Sequence, residues 1–397
     1  MVRSVLEQAR DGDAGAFREL VEPYRGELHL HCYRMLGSLA DAEDLVQETL
    51  LAAWRGLGGF AGRSSVRTWL YRIATNRCRN ALRDARRRIP AEPVPPFVPP
   101  APSRRATVTW LQPYPDAALD RIAERAPDPA ARYLSRETVE LAFVLAVQQL
   151  PPRQAAVLLL CDVLDFGRTE VAEMLDTTPT AVKGALQRAR AGLTANEHRP
   201  GGPDAGELAV ARRFAAAFTA DDVDGVLALL TDEAWLAMPP APHEYHGAAA
   251  IRAFLAASAR GRGGRRLRLV PAGANRQPAF GCYLDDRPAP ARATPEAPAA
   301  VRSATAEAAR PGSGTRTVAG ADDRAGPGAS DAARSGASDA ARSGASDAAR
   351  SGADDRAGPG AFVGVVVLTP AAGRIGRITR FLDPSLAAAF GLPSHRG

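Results

Sequence analysis

Residues 285–360 contain almost no large apolar side chain, and this constrains everything folded around them. GASDAARS occurs three times in tandem, at 328–335, 336–343 and 344–351, and ADDRAGPGA occurs at 321–329 and again at 353–361. A unit built of Ala, Ser, Gly, Asp and Arg has nothing to bury. It cannot offset the entropy of ordering, and it cannot stack into a repeat architecture. The expectation is a disordered, recently duplicated loop. Strand patterns flank it: 265–273 and 278–284 before, 361–370 and 374–383 after. A helix with apolar Val210, Phe214, Ala217 and Phe218, a strand at 233–238 and a short helix at 247–258 precede them. Helices followed by antiparallel strands suggest an α+β domain into which the loop is inserted.

The N-terminal half reads as helical. Residues 14–36 place Phe17, Leu20, Val21, Tyr24, Leu28 and Cys32 at a 3.6-residue period, a second helix begins after Asp41, and a third runs from Val66 to Arg87. PAEPVPPFVPPAP then forms a stiff, extended linker, and the aromatics of WLQPYPD at 110–116 are expected to dock. The resulting division is 1–88, a linker at 89–135, 136–195, a second linker at 196–204, and 205–284 with 361–393, interrupted by 285–360. No apolar run is long enough to cross a membrane, and the N-terminus has no apolar signal core, so export is not expected. Cys32, Cys78, Cys161 and Cys282 form no CxxC pair and read as free thiols of a cytosolic protein.

Charge is uneven. Residues 1–60 hold six Arg against ten Asp and Glu, while 61–88 hold nine Arg against one Asp. On the acidic helix at 41–54, Asp44, Gln47, Glu48 and Leu51 fall outward while Leu45, Val46, Thr49 and Leu50 fall inward. On the basic helix that follows, Trp69, Arg72, Asn76, Arg79 and Arg83 share one stripe. Arginines supply phosphate and base contacts, and aromatics stack on unpaired bases. Opposite faces in series suit a protein bridging a basic protein and an anionic polymer. Residues 166–192 read as helix, tight turn, helix. Thr178 can cap the second helix, Pro179 sits at its favoured first position, and Val182, Leu186 and Ala189 point inward. Thr180, Lys183, Gly184, Gln187, Arg188 and Arg190 remain outward, as in a recognition helix.

DAEDLVQETLLAAWRGLGGF with TWLYRIATNRCRNALRD resembles region 2 of extracytoplasmic-function sigma factors of the sigma-70 family. LPPRQAAVLLLCDVLDFGRTEVAEMLDTTPTAVKGALQRARAGL resembles their region 4, and WLQPYPD resembles a subgroup with an extended linker and a SnoaL-like C-terminal domain. The resemblance implies a multidomain fold: an all-α region 2 bundle, an all-α region 4 helix-turn-helix and an α+β SnoaL-like domain. It implies that Asp44, Gln47, Glu48 and Leu51 hold the polymerase clamp. It implies that Phe60, Arg63, Ser64, Arg67, Trp69, Arg72, Asn76 and Arg79 recognise and melt the −10 element. Thr180, Lys183, Gly184, Gln187 and Arg188 would read the −35 element. The implied partners are core RNA polymerase and promoter DNA, with no membrane; a small ligand in the C-terminal pocket and an anti-sigma factor are also compatible with it. Two departures bear on promoter sequence. Asp165-Phe166-Gly167-Arg168 replaces a Gly-Trp-Ser type of entry, and Lys183-Gly184 stands where an Asn-Ser pair is common.

Asp232, His243, Tyr245 and His246 are the candidate polar residues of the C-terminal pocket, with HEYH expected in a loop. They form no paired carboxylate or Asp-His arrangement, so no catalytic residue is assigned. His29, His31 and Cys32 suggest a metal at first sight, but helical geometry turns His31 away from the other two. No metal or cofactor is expected.

Overall fold

Short polar side chains start the N-terminal helices by accepting free backbone N–H groups. Ser4 and Glu7 form a reciprocal capping box on α1 (Val5–Arg10). Asp13 accepts from Gly15 and Ala16 at the start of α2 (Ala14–Leu36), and Ser38 accepts from Asp41 at the start of α3 (Leu39–Gly56). Gly37 ends α2 at φ 74°, and its N–H returns to the Tyr33 carbonyl at 2.7 Å. α4 (Val66–Ala85) follows a short 3-10 turn at Leu57–Gly59. The computed structural model describes residues 4–85, 97–106, 111–125, 139–193, 203–288 and 360–395.

The second half of α2 is not amphipathic in practice. From Leu30 to Leu36 every residue is buried, including His31 and Arg34. A helix buried on all sides lies in the middle of something larger than its own bundle. Three things surround it: α3 and α4, the linker segment at 111–114, and the second helical module. That module comprises α6 (Leu141–Gln149), α7 (Pro152–Leu158), α8 (Arg168–Met174) and α9 (Pro179–Leu193). The chain between α6 and α8 is not one continuous α-helix. α7 gives way to a wider π turn at Leu159–Val163, which keeps Leu159, Leu160 and Val163 buried.

The region expected to be wholly linker contains regular structure. Asp116–Arg125 is helix α5, and Arg104–Arg105 is a strand, β1. β1 adds to the edge of the C-terminal sheet, whose other strands are β2 (Leu230–Met238), β3 (Ala241–His246), β4 (Arg265–Ala274), β5 (Gln277–Pro288), β6 (Ala361–Ala371) and β7 (Arg374–Phe381). The order is β1-β3-β2-β7-β6-β5-β4, and only β2 with β7 is parallel. HEYH therefore lies in strand β3, not in a loop, with Tyr245 opposite Leu236. β5 and β6, on either side of the insertion, pair from Ala279↔Val367 to Leu284↔Ala361. The repeat insertion joins their ends; residues 289–359, including its expected disorder, lie outside the described residues, as does Trp110.

The sheet has two unlike faces. Its inner face sets Phe280, Cys282, Val366, Leu368 and Ile378 against α10 (Ala205–Thr219) and α12 (Gly247–Gly261), with α11 (Val223–Leu227) between them in sequence. Its outer face carries Ala279, Tyr283, Val365, Val367 and Phe381, together with Leu386 and Ala387 of α13 (Leu386–Ala389). These belong to the same continuous apolar cluster as α2, α3, α4 and α6–α9. The sheet domain and the helical modules thus share one core.

His31 gives that core a pH dependence. Its Nε2 meets the Thr75 hydroxyl at 2.9 Å. Burial first, then the nearby Arg34 and Arg67, pushes the imidazole down to about 3. Above the ordinary value of 6.5 neither the folded nor the unfolded chain is protonated there, and stability is complete. As pH falls from 6.5 towards 3 the unfolded chain takes up a proton that the folded chain refuses. Urea unfolding between pH 6 and pH 4 should show the wild type losing about 1 kcal/mol per pH unit more than His31→Gln.

Candidate nucleic-acid interface

Helix α3 buries Ala42, Leu45, Val46, Thr49 and Ala53, and this fixes its outward side. Asp44, Gln47, Glu48 and Leu51 are all exposed there, as the spacing predicts. Leu51 keeps 48% of its surface in water, unusual for an aliphatic side chain. Glu48 also takes Arg77 of α4 at 2.5 Å, the carboxylate exposed and the guanidinium half-buried. Such a pair is worth little and exchanges readily for another basic partner.

The eight residues around α4 do not form one open face. Arg63 and Ser64 are exposed on the loop before the helix. Phe60 is buried at 7% exposure, its ring 4.8 Å from that of Trp69, and its carbonyl accepts from Arg10. It is therefore a support for Trp69. Arg67 lies over the rings of Tyr71 and Phe166 and pairs with Glu27 at 3.3 Å. The remainder of the stripe meets the second helical module. Arg72 pairs with Asp176 at 3.1 Å, and Asn76 Nδ2 donates to the Met174 carbonyl at 3.3 Å. The buried Thr68 hydroxyl donates to Glu170 at 2.7 Å. Arg79 donates to Asn76 Oδ1 at 3.0 Å, which holds the amide toward Met174. Sequence reasoning did not find Glu170, Asp176 or Met174, because each acts across a contact more than ninety positions distant in the chain.

Helix α9 is open in contrast. Thr178 Oγ1 accepts from the Ala181 N–H at 3.2 Å, which is the expected cap. Val182, Ala185, Leu186 and Ala189 are buried, leaving Thr180, Lys183, Gln187 and Arg188 exposed with Gly184 among them. The Cβ of any other residue at position 184 would meet only Arg188, at 3.4 Å, so glycine keeps that surface low beside Lys183. Arg190 grips Asp162 through two bonds of 2.7 and 2.8 Å and ties α9 to the π turn.

One side chain joins all the parts. Asn275 sits with Arg276 in the β4–β5 turn, both at positive φ (55° and 56°), the geometry of a two-residue hairpin. Asn275 is fully buried. Its Oδ1 accepts from Tyr114 N–H at 2.6 Å, and its Nδ2 donates to Tyr33 Oη at 2.9 Å and to the Val139 carbonyl at 2.5 Å. Tyr33 in turn donates to the Gln112 carbonyl at 2.8 Å. Gln112 N–H donates to the Gly37 carbonyl at 2.7 Å, and its side chain spans Leu39 N–H and Asp383. The expected docking of WLQPYPD is thus seen for Leu111, Gln112 and Tyr114. The two strands flanking ANRQ were a signal for this turn; the burial of its asparagine was not readable.

The candidate pocket residues scatter. The Asp232 side chain is fully exposed, and His246 pairs with Glu233 at 3.0 Å. His243 is half-buried in β3. Tyr245 is buried but donates its hydroxyl to the Pro100 carbonyl at 3.0 Å. His29 meets Tyr114 at 2.9 Å and His31 meets Thr75, so the two imidazoles serve different contacts. No group of three metal-ligating side chains occurs among the described residues, nor any helix long and apolar enough to cross a membrane.

Residues 20–88 match sigma-70 region 2, residues 140–193 match sigma-70 region 4, and residues 211–281 match a SnoaL-like domain. The chain is 45% identical over 284 residues to the ECF RNA polymerase sigma factor SigG of Mycobacterium tuberculosis, which covers 69% of this chain and 75% of that protein. It is 31% identical over 210 residues to SigJ of the same species, covering 53% and 60%. Against SigW of Bacillus subtilis it is 28% identical over 197 residues, covering 49% and 95%. The crystal structure of the Mycobacterium tuberculosis extracytoplasmic function sigma factor SigJ shares the fold, with a TM-score of 0.51 over 96% of this chain and 100% of that one at 19% identity.

The contact of α4 with α8 should be held unevenly. A partly buried carboxylate acceptor is worth more than an exposed ion pair. Glu170→Ala should cost about 1–2 kcal/mol in urea unfolding, and Asp176→Ala less than about 1 kcal/mol.

Proposed function

The chain belongs to the extracytoplasmic-function sigma factors of the sigma-70 family and directs RNA polymerase to specific promoters for transcription initiation; from that premise we propose how its surfaces divide the work. Asp44, Gln47, Glu48 and Leu51 face the polymerase clamp. The supporting observation is an exposed leucine set among acidic and amide side chains on a helix whose other side is core. Thr180, Lys183, Gly184, Gln187 and Arg188 read the −35 element in the major groove. Arg63, Ser64, Arg67, Trp69, Arg72, Asn76 and Arg79 handle the −10 element, with Phe60 propping Trp69 from beneath. As a sigma factor it acts with polymerase in the cytoplasm.

The observation that carries the regulatory reading is the pairing of Arg72, Asn76 and Thr68 with region 4. Three residues on the −10 helix are engaged by protein in the free factor. Promoter opening therefore requires α4 and α8 to part. The SnoaL-like domain opposes this separation in cis, because Asn275 bonds at once to region 2 through Tyr33, to the linker through Tyr114 and to the entry of region 4 through Val139. The tether makes docking effectively intramolecular, so modest bonds suffice and no separate anti-sigma protein is required. We read the domain as regulatory and not catalytic: Asp232 faces water, and Tyr245 spends its hydroxyl on a linker carbonyl.

Run-off transcription with core polymerase tests both proposals. Asp44→Arg with Glu48→Arg should abolish core binding in a folded protein; undiminished pull-down would remove the clamp assignment. Asn275→Ala loses three side-chain bonds, about 1–3 kcal/mol in favour of the docked form. It should therefore raise the open fraction, and with it promoter activity, by roughly five- to a hundredfold at most. Unchanged activity, together with unchanged hydrogen-exchange protection of α4, would rule out cis regulation through this contact.

A further inference from the structure

RGRGGRRLR at 260–268 places five arginines in nine residues, where helix α12 turns into strand β4. Two glycines make the turn possible. Gly263 and Gly264 hold positive φ, at 58° and 83°, and a Cβ at either would meet nothing within 4 Å. The turn is nonetheless fixed. Gly263 N–H donates to the Arg260 carbonyl at 3.1 Å, and Arg265 N–H donates to the Arg262 carbonyl at 3.1 Å. Arg265 Nε reaches that same carbonyl at 3.2 Å. Arg262 anchors the base of the turn by pairing with Asp221, and the linker residue Phe97 packs on Gly261 and Phe254.

The arginines on either side of the turn are open to water. Arg260, Arg266 and Arg268 are exposed, and the side chains of Arg260 and Arg266 bond to nothing among the described residues. Arg268 meets Asp285 at 3.3 Å with its guanidinium 47% exposed, a pair that exchanges readily. The acidic residues around Arg262 are committed elsewhere: Asp221 to Arg262, Asp224 to Arg252 at 2.6 Å, and Asp222 to the Gly225 N–H at 2.9 Å. Helix α10 packs against β4 and adds exposed Arg212 and Arg213. This edge of the domain therefore carries surplus positive charge. β4 is the last strand of the sheet, with β5 as its one neighbour among the described strands. Its other end leads into Asn275, so by strand rise the turn stands about 30 Å from the junction with the helical modules.

Unpaired guanidinium groups around an open, glycine-lined turn suit a polyanion recognised by its charge and not by its sequence. A sigma factor works on one such polymer, duplex DNA. We propose that the turn between α12 and β4 is a further DNA contact, made by the SnoaL-like domain, in which Arg260, Arg266 and Arg268 bind backbone phosphates outside the elements read by regions 2 and 4. The two glycines keep the tip low, so the sugar–phosphate backbone can approach the arginines on both sides of it. Regions 2 and 4 hold the duplex on the same chain, which makes the contact effectively intramolecular and lets a weak interaction count. The contact does not depend on which residues read the promoter, because phosphate binding is measured on DNA without promoter elements.

The test uses the full chain and a fluorescent random-sequence duplex, with anisotropy titrations over a series of salt concentrations. Each lost phosphate contact should lower the slope of log affinity against log salt by about 0.9. Arg260→Gln with Arg266→Gln should therefore lower the slope by about 1.8 and weaken binding at least fivefold at about 0.1 M salt. Adding Arg268→Gln should lower the slope by about 0.9 more. Arg260→Lys with Arg266→Lys should keep the wild-type slope, since a phosphate contact needs the charge and not the planar fork. The glutamine pair should have the same effect in a Lys183→Ala background, which separates this contact from reading by region 4. Both side chains are exposed and unbonded, so the variants should melt with the wild type. An unchanged slope in the glutamine pair overturns the proposal, as does an equal loss in the lysine pair or a wild type that binds no duplex at low salt. So does a glutamine pair that keeps its DNA affinity but elutes as an oligomer, because the arginines would then serve to guard the open edge of β4.

Discussion

Everything else in this molecule is arranged around the carboxamide of Asn275. An amide has two donors and one acceptor oxygen, and here each is committed to a different segment: Val139 ahead of α6, Tyr33 in α2, and Tyr114 in the linker. None is accessible to water. A buried amide stripped of partners costs more than its bonds gain, so the three segments hold together or separate as a set. The left-handed turn makes this possible, because positive φ at both Asn275 and Arg276 lets a two-residue hairpin reach into the junction. Arg276 seals the rim, its N–H on Asp116 at 2.8 Å and its guanidinium on Asp120 at 2.8 Å. The total burial of the second half of α2 follows directly. A lone region 2 bundle would leave part of that helix wet.

The same acid–base complementarity serves two purposes. Arg72 and Asn76 are suited to an anionic backbone and to base edges, yet in the free factor Asp176 and the Met174 carbonyl take those places. Region 4 supplies oxygen atoms where a nucleic acid would supply its own. Arg72 and Asp176 are both largely exposed, so their pairing adds little net energy and is weakened by salt. The closed arrangement therefore depends on the shared apolar core and on Asn275 much more than on the ion pair. Among the described residues nothing covers the outward face of helix α9, whereas the stripe of α4 lies inside the interface with α8.

Much of this was legible. Helical periodicity gave the inward and outward sides of α3 and α9 correctly, since those sides are set by each helix's own apolar stripe; the polar stripe of α4 was located, but not that α8 covers much of it. The Thr178 cap and Pro179 start are local and were read locally. The four strands flanking the insertion were located in the sequence and appear as β4 to β7. What failed depended on distant partners. Phe60, which the resemblance assigns to the −10 element, is covered by Trp69 and Arg10, a burial the sequence does not signal. HEYH follows MPPAP, whose prolines argue for a loop, yet it forms a strand because β2 on one side and linker residues 104–105 on the other satisfy its backbone. Helix α5 was concealed by the prolines around it. Asn275 has an ordinary turn context, and only the fold shows that water never reaches it.

Strand β7 contributes side chains to both faces of the C-terminal sheet. Alternation along a strand sends neighbouring side chains to opposite sides. Arg380 therefore lies on the inner face beside Phe218 and Ser258, while Phe381 joins the core shared with the helical modules. Gly364 of β6 backs directly onto the Phe381 carbonyl with φ 142°, and any Cβ there would collide with it, so this end of β7 has little freedom to shift alone. Two residues on, Asp383 accepts from Gln112 at 3.1 Å, and Gln112 holds the linker against Gly37 and Leu39. Arg380 on β7 and Asp383 in the linker clasp are thus three positions apart in the chain. The end of β7 is held from both sides, Phe381 by Gly364 and the shared core and Asp383 by Gln112 of the linker, so the edge of the inner sheet face and the linker that closes on region 2 are anchored by one short stretch of chain.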